Sequence, residues 1–263
     1  MHTISVKNYE EMSYHGAKQI HDAVMEALEH KGCANIGLAT GNTMLDLYQY
    51  LAKMFNAEKA DLSGVHTWNL DEYAATEHSA VSREHPLSYW KYMHKNLFNR
   101  FLPKCGFKEE NAHFPNPADT KSFDDALAAA GGLDFQLLGI GFNGHIAFNE
   151  PMPESMISAR DFAVLPSRVI ALKERTIETN AKLTAPGGTR NVVPRYAATM
   201  GMKQILQAKK ILLLACFAEQ EEPLRRMITD GKPTPELPAS YLLTHPNSAI
   251  VYTADKIKLD SGL

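Results

Sequence analysis

The chain lacks almost everything that would tie it to a membrane, a nucleic acid or an oxidising compartment. Among its 263 residues are three cysteines, Cys33, Cys105 and Cys216. They are widely spaced and odd in number, which argues against a disulfide framework and against a Cys-x-x-Cys metal site. No segment reaches the roughly 20 apolar residues needed to cross a bilayer, and the first residues lack the basic start and apolar run of an export signal. Neither sign of charge dominates: 27 lysines and arginines face 30 aspartates and glutamates, a net charge of -3. With the signs interspersed, no basic face is available for nucleic acid or an anionic membrane. Low-complexity tracts, long Pro/Ser linkers and internal repeats are absent too, so one domain over residues 1–263 is expected. These absences point to a soluble, unprocessed cytoplasmic protein whose partner is a small molecule.

What is present is an alternation of short apolar runs with longer amphipathic ones, the mark of β/α units winding a mostly parallel sheet. Strands are expected at 35–39, 65–70, 135–139, 211–216 and 249–252. Helices are expected near 10–30, 43–56, 86–99, 121–130, 195–207 and 218–230. In sheets of this kind ligands bind beyond the carboxyl ends of the strands. Three such ends are polar and therefore candidates.

The third is the most informative. Gly139, Gly141 and Gly144 spell G-x-G-x-x-G after a strand, a dinucleotide pattern only if a helix follows. Asn149, Pro151 and Pro153 prevent that helix, so the glycines are read as room for a close turn around His145. Glu150 lies five residues on and can fold back to fix the imidazole tautomer for proton transfer near neutral pH. An isolated histidine of this kind is more often a satisfied core residue; its place among glycines at a strand end favours function.

The first end, Thr40-Gly41-Asn42-Thr43, precedes a helical pattern. A helix start offers unpaired N–H groups and a positive dipole end, and Gly41 permits close approach, so this is a candidate phosphate cradle. The ordinary alternative, equally weighted, is an N-cap by Asn42 or Thr43. At the second end Asp71 and Glu72 are adjacent, so in an extended segment only one should face a pocket while the other makes structural hydrogen bonds. Desolvation there would raise a carboxylate towards a useful base. No metal motif is found, since His78, His85 and His94 do not share a helical face, and no G-x-S-x-G elbow marks a nucleophilic serine.

The run Gly139-Ile-Gly-Phe-Asn-Gly-His-Ile-Ala-Phe-Asn-Glu-Pro151 closely resembles the signature of glucosamine-6-phosphate deaminases, also called isomerases. Three further segments resemble that family in the same order: Ala39-Thr-Gly-Asn-Thr43, Trp68-Asn-Leu-Asp-Glu-Tyr73, and Glu84-His-Pro-Leu-Ser-Tyr89 with Met93-His94. The likeness continues through Val193-Pro-Arg-Tyr-Ala197 to about Tyr252. It implies a single-domain Rossmann-like α/β fold with helices on both faces of the sheet. It also implies conversion of glucosamine 6-phosphate and water to fructose 6-phosphate and ammonia, without cofactor or metal. On that reading His145, assisted by Glu150, opens the sugar ring and Asp71 moves the C2 proton to C1. Thr40, Gly41, Asn42, Thr43, Glu72 and Gly144 hold the substrate, and a homo-oligomer is compatible with the family.

Three departures accompany the resemblance. Many members carry aspartate where this chain has Asn143, which can position a neighbour but cannot act as a base. The arginine that grips the phosphate aligns with Lys182, which keeps the charge and loses the bidentate fork. A phosphate-binding lysine aligns with Gln220, among the acidic Glu219, Glu221 and Glu222, leaving Lys182 or Lys203 to substitute. Only a partial match remains to the allosteric site of some members. The galactosamine epimer as substrate, a 6-phosphogluconolactonase and a non-catalytic sugar-phosphate sensor are the alternatives.

Overall fold

A computed structural model describes residues 1–259. Seven strands form the main sheet: β1 (His2–Val6), β2 (Ala34–Leu38), β3 (Val65–Asn69), β6 (Ala112–His113), β7 (Phe135–Gly139), β10 (Ile211–Ala215) and β11 (Ser248–Thr253). Their order is β1-β11-β10-β7-β2-β3-β6, and every pairing is parallel. All residues of β2 and β10 are buried, as strands covered by helices on both faces require.

Chain order explains where a ligand can enter. From β2 the chain moves outwards through β3 to β6, then returns to β7 on the other side of β2 and continues to β10 and β11. The carboxyl ends of β2 and β7 therefore flank a topological switch point, where the connecting segments diverge and leave a crevice.

The helices are α1 (Tyr9–Lys31), α2 (Leu45–Glu58), α3 (Tyr89–Asn96), α4 (Thr120–Ala129), α5 (Ala159–Ala163), α6 (Glu174–Leu183), α7 (Met202–Leu206) and α8 (Glu221–Asp230). Local chemistry sets the ends of α1. Asn8 accepts from the Glu11 amide at 3.0 Å, and Gly32 takes a left-handed φ of 71° that closes the helix. Its buried stripe includes Met12, Ile20 and Val24, spaced for one helical face. Gly16 on that stripe lets α1 approach α2 closely, since a Cβ there would lie 2.7 Å from Leu47 Cδ1.

A second sheet, absent from the sequence reading, joins β5 (Ser79–Ala80), β4 (Asp71–Thr76), β9 (Tyr196–Thr199) and β8 (Arg168–Ala171) in that order, all antiparallel. Residues expected to begin a helix at 195 are strand β9, and only Met202–Leu206 of that segment is helical. The short Tyr-Ala-Ala-Thr strand has neither alternation nor length to announce itself, and its pairing with β4 overrides the helical leaning of alanine and methionine. The two sheets meet where the Leu70 amide bonds the Leu38 carbonyl at 3.0 Å and the Leu70 carbonyl accepts from Met200 at 2.7 Å. Asp71, one residue later, begins β4 opposite Thr199.

Candidate active site

A cavity of about 470 Å³ opens over the switch point. Its floor is the residues after β2, β3 and β7, including Thr40, Gly41, Asn42, Thr43, Asp71, Asn143 and His145; α3 and α6 contribute opposing walls through Tyr89, Tyr92, Arg175, Thr176 and Asn180. Segments far apart in sequence are thus brought to one space.

Asp71 is buried, at 7% exposure. Its Oδ1 accepts from the Phe148 amide at 3.2 Å, and the same amide donates to the Thr199 hydroxyl at 3.0 Å. Burial drives the Asp71 carboxyl up to about 7, and the bonds from Thr199 and Phe148 only partly oppose it. An acid of that strength is ionised half the time near neutrality, which suits a base that must accept a proton and give it back. Near it the rings of Tyr73, Tyr89 and Phe148 pack at centroid separations of 4.9, 5.6 and 6.1 Å, an apolar surround of the kind that favours a neutral carboxyl.

The adjacent Glu72 points elsewhere. Its carboxylate accepts from the amides of Tyr73, Tyr89 and Trp90 at 2.8, 2.9 and 2.8 Å, and from the Ser88 hydroxyl at 3.1 Å. It anchors the start of α3, where a helix has unpaired amides, and does not line the cavity. The expectation that Glu72 touches substrate is therefore corrected. The alternation of an extended segment sends Asp71 to the site and Glu72 to the scaffold.

The glycine-rich turn is built around the imidazole. A Cβ on Gly141 would lie 2.3 Å from His145 Cε1, so the ring occupies space that only glycine leaves free. Gly144 has φ of 86°, and a Cβ there would meet Leu237 Cδ1 at 2.2 Å. Gly144, expected to hold the substrate, lies outside the cavity lining, and what it does here is shape the turn. Ala147, which does line the cavity, holds a left-handed φ of 51°, a conformation unusual for a residue with a Cβ and found most often at functional sites.

Glu150 folds back as the prolines allow. Its Oε2 stands 3.7 Å from His145 Nδ1, an ion-pair separation longer than a hydrogen bond, as often occurs before substrate binds. The Asn143 amide donates to Oε2 at 2.7 Å, and the Asn143 carbonyl oxygen accepts from the His145 amide at 3.2 Å. Burial pushes Glu150 up, but His145, Thr176 and Asn143 outweigh it and hold the carboxylate at about 2. It is anionic throughout the neutral range and can support a positive imidazole.

At the β2 end neither Asn42 nor Thr43 caps α2, so the ordinary alternative is set aside. Asn42 Nδ2 donates to the Leu183 carbonyl at 3.1 Å, and Thr43 Oγ1 lies 3.7 Å from the Cys216 thiol. Gly41 holds a φ of 102° at the start of the Asn42–Met44 turn, and the turn lies against the cavity. Lys182 is exposed on α6 and does not line the cavity, contrary to expectation, and neither does Lys203. Among the described residues the lining cations are Lys91, Lys95 and Arg175, and Lys91 already bonds Glu84 at 3.2 Å. Gln220 is engaged in structure: Oε1 accepts from Cys216 and Phe217 amides at 2.8 and 2.9 Å, and Nε2 donates to the Ile140 carbonyl at 2.7 Å. It ties the ends of β10 and β7 together. Among the described residues no group of three or more His, Cys, Asp or Glu could hold a metal ion.

The profile of the glucosamine-6-phosphate isomerases/6-phosphogluconolactonase family matches residues 7–156, which contain both Asp71 and the His145 turn. The chain belongs to this family. A glucosamine-6-phosphate deaminase of Thermoanaerobacter pseudethanolicus (strain ATCC 33223 / 39E) is 36% identical over 98% of this chain and 95% of its own length. One of Lysinibacillus sphaericus (strain C3-41) is 37% identical over 96% and 98%. Among solved structures, a monomeric glucosamine-6-phosphate deaminase described as a missing link of the NagB superfamily matches with TM-score 0.83 and 31% identity, over 97% of this chain and 98% of its own. A 6-phosphogluconolactonase from Trypanosoma cruzi matches at TM-score 0.72 and 16% identity over 96% and 94%. At that identity the shared property is the fold.

Among the site residues of this family member that escaped the sequence reading are Arg175, Thr176 and Thr199. The first two lie on α6, a helix not placed from sequence, although Thr176, Asn180 and Leu183 recur at the spacing of one helical face. Thr199 ends the unrecognised β9.

Proposed function

We propose that the chain converts glucosamine 6-phosphate and water to fructose 6-phosphate and ammonia. The observation that carries this reading is that Asp71 and His145 line one cavity with their chemistries set apart: one carboxyl raised to about 7, and an imidazole beside a carboxylate held at about 2. His145, supported by Glu150, moves a proton at the ring oxygen and opens the pyranose to the aldehyde. Asp71 then takes the C2 proton, giving an enolamine, and returns it to C1. The resulting C2 imine is hydrolysed by water to the ketone, releasing ammonia. Every atom of the overall reaction is accounted for by the sugar and one water.

The turn at residues 40–43 supplies helix-start amides for the phosphate, with Arg175 and Lys95 as the neutralising cations in place of Lys182. The named relatives of similar length support the amino-sugar phosphate as substrate. A site without metal or nucleotide, in the cytoplasm where free thiols persist, completes the reading.

The test is ammonia release from glucosamine 6-phosphate and galactosamine 6-phosphate side by side, with 6-phosphogluconolactone hydrolysis as control. Ammonia from the glucosamine substrate is expected; lactone hydrolysis without ammonia release would overturn the assignment.

A further inference from the structure

The Glu150 carboxylate is held from two directions. Asn143, in its own turn, takes Oε2 at 2.7 Å, while the Thr176 hydroxyl donates to Oε1 at 2.5 Å. Thr176 comes from a different element, the first part of α6, and is 4% exposed. One turn later the Asn180 amide donates to the Tyr73 hydroxyl at 2.7 Å, and the Leu183 carbonyl receives Asn42 at 3.1 Å. Residues 176, 180 and 183 lie on one face of the helix. This face binds the wall helix to the catalytic turn, to the aromatic cluster behind Asp71 and to the phosphate-side loop. Among the described residues, the Thr176 hydroxyl supplies the hydrogen bond that joins this helix to Glu150.

A carboxylate has two oxygens and rotates about its terminal torsion unless both are held. Fixing Oε1 through Thr176 leaves Oε2 directed at the His145 ring, 3.7 Å away. Without the hydroxyl, Asn143 alone restrains the group, and Oε2 can swing off the imidazole. We propose that Thr176 is a positioning residue that keeps Glu150 aimed at His145, so that α6 is part of the ring-opening machinery and not merely a wall of the cavity. This rests on the reading of the site as an amino-sugar phosphate deaminase. The hydroxyl is taken up by the Glu150 carboxylate, and it acts through that group.

Thr176→Val keeps the branched shape and removes the donor, whereas Thr176→Ser keeps the donor and removes a methyl. The valine variant is expected to lose roughly tenfold or more in kcat, within the range of one general acid–base contribution, with KM changed less than about twofold. The serine variant is expected to recover most of the rate. Binding of the open-chain amino-alditol phosphate, which needs no ring opening, is expected to be unchanged in both variants. Equal kcat in wild type and Thr176→Val, or equal losses in the valine and serine variants, would overturn the role of Thr176 while leaving the function intact. A fall in analogue affinity parallel to the fall in kcat would overturn it too, since that marks a collapsed wall. A wild-type protein that releases no ammonia would overturn the deaminase reading and this role with it.

Discussion

Asp71 concentrates the chemistry of a single residue. Replacing it by asparagine keeps an oxygen to accept from Phe148 but removes the base, so turnover is expected to vanish, by at least about a thousandfold, while the open-chain analogue still binds. In the wild type, kcat/KM should fall about tenfold per pH unit below a midpoint near 7, because the carboxyl titrates at about 7. A midpoint near 4 would move the base elsewhere. The same shift carries a stability signature. The folded carboxyl binds its proton more tightly than the unfolded one, whose ordinary value is 3.8. Stability is therefore fully present below about 4 and is lost as pH rises towards 7, by at most about 1.4 kcal/mol per pH unit. Asp71→Asn should thus unfold at a higher temperature than wild type at pH 8, with the advantage shrinking towards pH 4, as thermal melts would show. At the same scale, Gly141→Ala should cost most of the activity, since its methyl would displace the His145 ring that it would approach to 2.3 Å. Wild-type turnover in that variant would mean that the imidazole works from another position.

Among elements, α3 and α6 decide the shape of the site, and they differ in how they are held. The start of α3 rests on Glu72, which receives three backbone amides and one hydroxyl. Glu72→Ala strands these donors in a buried place and should destabilise the fold by roughly 2–4 kcal/mol in urea titration, an effect larger than an ordinary exposed cap. A change under about 0.5 kcal/mol would show that α3 does not depend on this anchor. Helix α6 is instead joined to the site by separate side chains at 176 and 180 and by the Leu183 carbonyl. Its first turn is acidic and lysine-flanked like any exposed helix, so nothing in its residues distinguished it as a cavity wall. The central strands were legible because five short, mostly apolar runs alternate with longer amphipathic ones. The second sheet was not, because β8 and β9 are four residues each and take their identity from pairing with β4.

At the scale of the whole molecule, the two sheets are joined through Leu70, which bonds Leu38 on one side and Met200 on the other, and we expect them to unfold together as one domain. Trp68 is a buried residue of β3 and Trp90 lies on α3. Intrinsic fluorescence and far-ultraviolet circular dichroism should therefore give coincident urea transitions; separated midpoints would divide the chain into two folding units. The sequence alone pointed to the strand ends and to Asp71, His145 and Glu150 as candidates there, because apolar runs, glycines and prolines act on their immediate neighbours, and its ordered motifs carried the kinship. Only the tertiary structure decided that Glu72 braces a helix, that Lys182 stays outside the cavity, that Gln220 ties two strand ends, and that Thr176 reaches the Glu150 carboxylate. Each of these depends on which distant segment supplies a partner, and a partner's direction is set by packing across the chain rather than by spacing along it.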